Sequence, residues 1–380
     1  MISSSKNKLK VCFVSHFAYP LFNKERKIPF GGKEVQLYLL SKELARNNDL
    51  GVNVITGDNK LKSRRIENYN NLNLYISLPT KKTFINIIKS VINFFLTLIQ
   101  MNPDVLIQRG GSVLTGLCAL YSKIFKKKFI FSIAHRNDVI KKGKQGLIRL
   151  SHWYGINNAD YIIAQNYEQI QEYEDWKKRK IPNMTVIKSG YEIKSYEIKK
   201  KKYVLWVSRA DRWKRPELFL KLAKLFPKEK FIMICNKGRD ILYWESIKKA
   251  SSISNLKFLN FIPFHEIDRY FKEAKIFINT SIYEGFPNTF IQAFKNKTPV
   301  ISLNVNPDEI LTKNEIGIFC HDDLKKMEFS INQFFENQEL YDSYSKNAFS
   351  YVKNNHDIKH ISKKWLLLCE KINDNQKIIK

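Results

Sequence analysis

Residues 276–301 contain the side chains and backbone groups best suited to chemistry. An apolar run of strand length, IFINTS, leads into Glu284, Gly285 and Pro287. Pro287 suits the first turn of a helix, because its missing N–H would have no partner there. The free N–H groups of that helix favour an anion, and Gly285 lets a ligand approach the main chain. Glu284 can accept hydrogen bonds from sugar hydroxyls, and Gln292 can both donate and accept. The stretch therefore predicts a site that holds a phosphate and a polyol together.

Two cations follow another predicted strand, residues 203–208. Arg209 comes at the end of this strand, and Lys214 lies five positions later, where a helix is expected to begin. A guanidinium can bind two phosphate oxygens at once, and a lysine adds a compact positive charge. Fixed charges of this kind can hold a phosphate group without a metal ion. Since no Asp-x-Asp pair ends a predicted strand, we expect neither a metal nor a cofactor.

The first half of the chain offers two weaker candidates. Gly31 and Gly32 open a predicted helix, and adjacent glycines there let the main chain approach a phosphate closely. His135 lies at the carboxyl end of a predicted strand, the edge at which open parallel sheets place their ligands. A plain glycine turn and an incidental loop histidine are the competing interpretations.

Strands and helices alternate along the chain, which predicts two parallel, doubly wound α/β sheets. A chain of 380 residues is too long for one ordinary core and fits two domains. The first domain is expected to span residues 1–195 and the second residues 203–356, with a lysine-rich boundary at 194–202. The seven strands predicted in the first domain lie at 10–17, 51–58, 71–79, 104–110, within 129–138, and at 161–166 and 185–190.

The motif after the IFINTS strand resembles that of the group-one retaining glycosyltransferases of the GT-B fold. That family has two glutamates separated by seven residues, written around an E-G-F-P-N loop. Glu284 matches the first glutamate, and the loop is matched by Gly285, Phe286, Pro287 and Asn288. Gln292 stands where the second glutamate is usual, and its amide can also hold the ribose hydroxyls that this position binds in the family.

Other segments resemble the same family and also depart from it. Arg209 and Lys214 match the arginine and lysine that hold the donor diphosphate in a G-R-x-x-x-x-K-G segment. Glu309 follows a turn that is shorter than the family's G-G-x-P-E turn and lacks its glycines. Three further positions at which glycine is usual are occupied by Ser208, Arg215 and Lys297.

The resemblance implies a fold, a reaction and a set of site residues. The fold is two Rossmann-like, doubly wound parallel-sheet domains facing a central cleft, with a final helix at about 357–376 packing back on the first domain. The reaction is metal-independent transfer of a sugar, with retention, from a nucleotide-diphosphate donor. The implied catalytic residues are Arg209, Lys214, Glu284 and His135. The implied donor-binding residues are Gly31, Gly32, Gly285, Phe286, Pro287, Asn288, Thr289, Gln292 and Glu309.

The expected substrates also follow from the resemblance. The donor is predicted to be a UDP-sugar, and the acceptor a hydroxyl of a glycan or a lipid-linked glycan in surface polysaccharide or glycoconjugate biosynthesis. A catalytically inactive glycosyltransferase-like protein and a basic nucleic-acid-binding protein are the alternatives. Phosphorylases and epimerases of the same fold rank lower. The phosphorylases need a pyridoxal lysine and the epimerases a different acid/base set, and the sequence supports neither.

The formal net charge is +29, and residues 1–190 carry 31 Lys+Arg against 13 Asp+Glu. A basic first half predicts an anionic partner, either a membrane surface or nucleic acid, although a lysine-rich surface is the simpler interpretation. Nucleic acid is not expected, because the sequence has no RNP-type motif, helix-turn-helix signal or zinc-ligand spacing. An anionic membrane surface is the partner retained.

Two features bear on location. The five cysteines have no C-x-x-C spacing, and the start of the chain does not fit a secretory signal, so we expect a cytoplasmic protein that is peripheral at the inner face of the cell membrane. Residues 84–101 are apolar enough for a membrane span. Polar residues there recur every three or four positions, which favours a buried amphipathic helix. This polar stripe consists of Asn86, Lys89, Ser90, Asn93, Thr97 and Gln100.

Overall fold

The structure is a computed structural model that describes residues 8–26, 30–81, 83–139, 146–195 and 201–377. The chain divides into two compact units. Unit 1 comprises Met1–Gly190 and Ile358–Lys380, and unit 2 comprises Tyr191–Asp357. Part of the lysine-rich stretch predicted as the boundary, residues 196–200, lies outside the described residues.

Unit 1 is built on an eight-stranded sheet with the order β3-β4-β2-β1-β5-β6-β7-β8. Its strands are β1 (Leu9–Val14), β2 (Leu50–Asp58), β3 (Arg65–Tyr69), β4 (Leu72–Pro79), β5 (Val105–Arg109), β6 (Lys128–Ser132), β7 (Tyr161–Ala164) and β8 (Met184–Val186). Its helices are α1 (Tyr19–Phe22), α2 (Gly32–Leu44), α3 (Phe84–Met101), α4 (Val113–Ile124), α5 (Gly146–Asn157), α6 (Tyr167–Lys177) and the last helix of the chain, α14 (Ile358–Lys377).

Strand β3 is the strand of unit 1 that the sequence did not predict. It pairs antiparallel with β4 at the edge of an otherwise parallel sheet. Its sequence, RIENY, is short and polar, and none of its side chains is fully buried. An edge strand needs little apolar surface, so its sequence carries no strand-like hydrophobic run.

Helices cover both faces of this sheet. Side chains of alternate β1 residues point to opposite faces, as in any strand. Val11 and Phe13 pack with α2 and α14, whose Trp365 is buried in the same cluster. Cys12 and Val14 pack with α3, α4, α5 and α6 on the opposite face. The final helix is therefore part of the core of unit 1.

Unit 2 has a six-stranded, all-parallel sheet with the order β11-β10-β9-β12-β13-β14. Its strands are β9 (Tyr203–Arg209), β10 (Phe231–Asn236), β11 (Leu256–Leu259), β12 (Ala274–Asn279), β13 (Val300–Ser302) and β14 (Gly317–Phe319). Its helices are α7 (Pro216–Leu225), α8 (Ile241–Ala250), α9 (Asp268–Glu273), α10 (Asn288–Phe294), α11 (Ile310–Lys313), α12 (Leu324–Glu336) and α13 (Gln338–His356). Both units thus have the parallel, doubly wound α/β organisation that the sequence predicted.

Helix α3 has the predicted bounds, but the prediction that it is buried is wrong. Only 22% of its 18 residues are buried, although by length and composition it is the one helix among the described residues that could cross a membrane. The side-chain amide of Asn93 donates to the Ser77 carbonyl of β4 (3.0 Å), and Thr97 is fully buried. Part of the polar stripe therefore faces the sheet, and much of the apolar surface faces outwards.

Candidate active site

The candidate residues of unit 2 gather at the carboxyl edge of its sheet. Strands β9 and β12 are parallel neighbours, so the loops that follow Arg209 and Asn279 leave the sheet side by side. A second backbone contact joins these loops, because the Ile282 amide donates to the Trp213 carbonyl (2.8 Å). The structure thus brings Lys214 to Glu284, which lie 70 positions apart in the chain.

Lys214 and Glu284 form an ion pair through Nζ and Oε1. The Ser281 hydroxyl donates to the same carboxylate oxygen (2.9 Å). The two charged side chains are only 13% and 15% exposed, so water screens their attraction weakly. The arrangement presents a cation and a carboxylate together, and each can also bind a ligand that carries phosphate and hydroxyl groups.

Thr280 holds the two loops in place. Its hydroxyl accepts from the Trp206 indole N–H (3.0 Å) and donates to the Lys214 carbonyl (2.6 Å), and the residue is fully buried. Sequence reasoning missed this role. The available signal was the pair of small hydroxyl residues, Thr280 and Ser281, at the end of an apolar strand.

Arg209 ends β9 and pairs with Asp211 (2.9 Å). The Asp211 side chain is buried, whereas that of Arg209 is 47% exposed. The guanidinium therefore keeps an open side at the same sheet edge as Lys214.

Two residues that replace family glycines keep a glycine-like backbone. Arg215 and Lys297 have φ angles of 48° and 53°, in the left-handed region that costs a residue with a side chain about 1 to 2 kcal/mol. Arg215 also has stabilising contacts, since its Nε donates to the Thr280 carbonyl (2.8 Å) and its guanidinium pairs with Asp322 (2.6 Å). The substitutions thus change the side chain at these two turns but leave their conformation in the region that glycine favours.

The loop that opens α10 divides into packed and accessible residues. Pro287 is the residue before the first helical position, one place earlier than predicted, and α10 begins at Asn288. Phe286 is 7% exposed and its ring lies 5.1 Å from that of His356, so this side chain is part of the packing. Gly285 and Pro287 are buried, and Asn288 and Thr289 are partly exposed.

Gln292 and Glu309 differ in their surroundings. Gln292 is buried on α10 at 6% exposure, and its main-chain carbonyl accepts from the Asn296 side-chain amide (2.8 Å). Glu309 has a φ of 57° and an exposed side chain paired with Lys313 (2.7 Å), which lowers the pKa of its carboxyl group. No described contact joins Glu309 to the pair of Lys214 and Glu284.

The candidates of unit 1 lie in loops that approach one another. Gly31 precedes α2, and its N–H donates to the Glu34 carboxylate (2.9 Å), so this amide already has a partner within the protein. A Cβ on Gly110, at the end of β5, would lie 2.9 Å from the Lys33 side chain and 3.1 Å from Ala134. The start of α2, which follows Gly31, therefore comes close to the loop that contains His135.

His135 begins a short turn at Arg136–Asp138. Its Nδ1 accepts from the Asn137 amide (3.1 Å), which fixes the ring against its own loop. The Asp138 carboxylate accepts from the main-chain amides of His135 (3.0 Å) and Gly111 (2.9 Å). Asp138 is the buried anchor of this edge, which sequence reasoning did not identify.

The sequence of unit 2 matches a known protein family. Residues 191–351 match the family described as Glycosyl transferases group 1, which covers almost the whole of unit 2. The uncharacterised glycosyltransferase MJ1059 of Methanocaldococcus jannaschii is 27% identical over 244 residues, 56% of this chain and 59% of that protein. The uncharacterised glycosyltransferase MJ1069 of the same organism is 24% identical over 312 residues, 73% of this chain and 78% of that protein. The chain thus spans less than two thirds of the first relative's length.

Solved structures match along nearly the whole chain. Sucrose-phosphate synthase from Thermosynechococcus elongatus has a TM-score of 0.78 at 15% identity, covering 96% of this chain and 99% of that one. HepE from Anabaena, solved in complex with UDP-glucose, has a TM-score of 0.73 at 14% identity, covering 96% and 100%. The fold is GT-B. The family match thus lies in unit 2, and the solved structures show the fold of nearly the whole chain.

Within this GT-B chain, the segment that matches the family contains Arg209, Lys214, Glu284, Gln292 and Glu309. Among the residues that the structure describes, no group of three or more His, Cys, Asp or Glu side chains is arranged to hold a metal ion. Metal independence and the roles of the site residues stay predictions.

Proposed function

We propose that this chain is a retaining, metal-independent glycosyltransferase that uses a UDP-sugar. The acceptor is a hydroxyl of a glycan or a lipid-linked glycan, in surface polysaccharide or glycoconjugate biosynthesis at the cytoplasmic face of the membrane. The observation that carries the proposal is the ion pair of Lys214 and Glu284 at the carboxyl edge of the unit 2 sheet, with Arg209 at the same edge. HepE, which shares the fold, binds UDP-glucose, and this supports the choice of donor class.

The pair suggests how the donor is held. Lys214 and Arg209 place positive charge where the diphosphate leaves, and a fixed charge stabilises the growing negative charge without the cost of reorienting water. Glu284 then accepts hydrogen bonds from the sugar hydroxyls, and the Ser281 hydroxyl keeps its carboxylate oriented. Gln292 binds the ribose hydroxyls. The roles proposed for His135, Gly31 and Gly32 rest on the family resemblance.

Donor binding is tested first. UDP, GDP, ADP and CMP are compared by thermal shift, and UDP is expected to raise the melting temperature most. UDP-sugars are then tested for hydrolysis and for transfer to glycan and lipid-linked acceptors. An absence of stabilisation by every nucleotide, together with salt-sensitive RNA binding in a filter assay, would favour the nucleic-acid-binding alternative.

The site residues are tested by substitution. Lys214→Ala and Arg209→Ala should each lower kcat by about 10²- to 10³-fold, as expected for loss of a group that stabilises the leaving group. Lys221→Ala is the matched control, because Lys221 is exposed on α7 in the same unit. Wild-type rates in both site variants would remove the proposed site.

Metal independence and retention need separate measurements. Activity should persist in excess EDTA, and its loss, with recovery on adding a divalent cation, would overturn the metal-free mechanism. The anomeric configuration of the first product, read from its proton NMR coupling before any mutarotation, should equal that of the donor. The opposite anomer would show inversion.

A further inference from the structure

Helix α3 exposes a long apolar stripe. Seven of its large apolar side chains are between 45% and 77% exposed, and all of them except Ile87 lie along one side of the helix. The six that share this side are Phe84, Ile85, Ile88, Ile92, Leu96 and Ile99. Single exposed apolar residues are ordinary, whereas a continuous stripe of this length marks an interaction surface.

The stripe results from the way α3 is seated on its sheet. Phe94, Leu98 and Met101 are its buried apolar residues, and Asn93 is hydrogen bonded to β4. A helix that only covered the core would turn its polar stripe to water. Here part of that stripe is used against the sheet, so the wide apolar side remains outside.

The two neighbouring helices extend this surface. The Tyr121 hydroxyl of α4 donates to the Leu98 carbonyl of α3 (3.0 Å). Helices α4 and α5 touch so closely that a Cβ on Gly116 would lie 2.5 Å from the Ser151 carbonyl oxygen. Further exposed apolar side chains lie on these two helices at Leu120, Ile124, Leu147 and Leu150. We call the outward surface of the three helices the α3–α5 face.

The charges of the α3–α5 face all have one sign. The sequences of α3, α4 and α5 contain no Asp or Glu. Their charged residues are cations, of which Lys89, Lys123 and Arg149 are exposed. Two carboxylates in loops beside these helices, Asp104 and Asp160, are paired with Lys127 and Lys128. The three helices therefore combine exposed apolar side chains with positive charge and contain no acidic residue of their own.

We propose that the α3–α5 face docks on the surface of an anionic phospholipid bilayer, with α3 lying in the plane of the interface. The apolar stripe would enter the boundary between headgroups and acyl chains, and the cations would bind the anionic headgroups. A protein partner would need carboxylates to match the cations, whereas an anionic bilayer supplies both complementary surfaces at once.

The contacts of α3 within unit 1 agree better with docking in the plane of the interface than with crossing the membrane. If α3 crossed the bilayer, Phe94, Leu98 and Met101 would leave the core of unit 1, and the hydrogen bonds of Asn93 and Tyr121 would be lost. Docking keeps all of these contacts. The inference does not depend on the sugar donor, so it is tested without any nucleotide.

The test measures binding of the full chain to vesicles by flotation. Wild-type protein should bind vesicles of phosphatidylcholine with about 30% phosphatidylglycerol at least about tenfold more tightly than vesicles of phosphatidylcholine alone, and salt should weaken the binding. Ile85→Glu combined with Ile92→Glu should reduce binding to the anionic vesicles by at least about tenfold. Leu242→Glu combined with Phe329→Glu is the matched control, since these unit 2 side chains are 78% and 62% exposed. The control should change binding less than about twofold.

A charge variant protects the test against loss of folding. Lys89→Glu with Lys123→Glu and Arg149→Glu changes only exposed side chains and should also abolish the preference for anionic vesicles. Circular dichroism and the melting temperature verify that all variants fold. The proposal is overturned if the wild type does not float with anionic vesicles, or if the apolar and charge variants bind as the wild type does. It is also overturned if the wild type is a dimer that Ile85→Glu/Ile92→Glu converts to a monomer, because a second copy would then occupy the face. Sugar transfer that fails while vesicle binding succeeds would count against the proposed function alone.

Discussion

Replacing Lys297 with glycine should make unit 2 more stable than replacing it with alanine. Lys297 has a φ of 53°, which crowds a Cβ against the backbone but leaves glycine unstrained. Both replacements remove the same side-chain contact, because the Lys297 ammonium lies 5.3 Å from the centre of the Phe349 ring. The difference between the two variants therefore isolates the backbone conformation.

The expected size follows from the left-handed conformation. A residue with a Cβ costs about 1 to 2 kcal/mol there, so Lys297→Gly should exceed Lys297→Ala in free energy of unfolding by about 1 kcal/mol. Lys221, which is exposed in α7, is the control, because there the stability difference between the glycine and alanine variants should have the opposite sign. Glycine inside a helix is about 1 kcal/mol worse than alanine, so Lys221→Gly should be the less stable of that pair.

The free energies are measured by urea denaturation of the full chain and by hydrogen exchange of the β12 and β13 amides. These strands lie in the same sheet, and β13 begins three residues after Lys297. The rate of sugar transfer by Lys297→Gly should stay within about twofold of the wild type, because the backbone conformation is kept. A Lys297→Gly variant less stable than Lys297→Ala would refute the left-handed assignment.

Three other changes test the unit 2 site and its surroundings. Thr280→Val should lower the free energy of unfolding by about 2 kcal/mol and also lower kcat, because the Trp206 indole and the Lys214 carbonyl lose their hydrogen-bonding partner. Urea denaturation and initial rates measure the two effects. A variant as stable and as active as the wild type would contradict the prediction. Gln292→Ala should weaken UDP binding about tenfold by calorimetry, since the ribose hydroxyls lose a hydrogen-bonding partner, and unchanged affinity would count against that role. Burial lowers the pKa of Lys201 to about 7, so between pH 7 and pH 10 the unfolded chain binds more protons than the folded chain. The free energy of unfolding of the wild type, relative to that of Lys201→Met, should therefore rise with pH. An equal difference between the two proteins at pH 6.5 and pH 9.5 would exclude this.

Much of the fold was predictable because parallel α/β units repeat a simple pattern. Apolar runs bounded by polar turns predicted seven of the eight strands of unit 1. The strand that was missed, Arg65–Tyr69, has no apolar run. The meeting of the loops after Arg209 and Asn279 was also foreseeable in part. Neighbouring parallel strands bring their carboxyl ends to the same edge of a sheet, so polar residues at two such ends come together.

The partners of each charge could not be read from the sequence. The pairing of Lys214 with Glu284 depends on β9 lying beside β12, and strand order is a property of the folded sheet. Nor does the sequence indicate that Phe286 packs against His356, because the two residues lie on separate elements 70 positions apart.

The sequence by itself determined that the chain has strands and helices in alternation, an amphipathic helix at 84–101, and cations placed at strand ends. Tertiary structure decided which side of that helix meets the sheet, and it placed Asn93 inwards and the apolar stripe outwards. The physical reason is that helical periodicity fixes which residues share a side, whereas the side that is buried depends on the shape and hydrogen-bonding groups of the neighbouring strand.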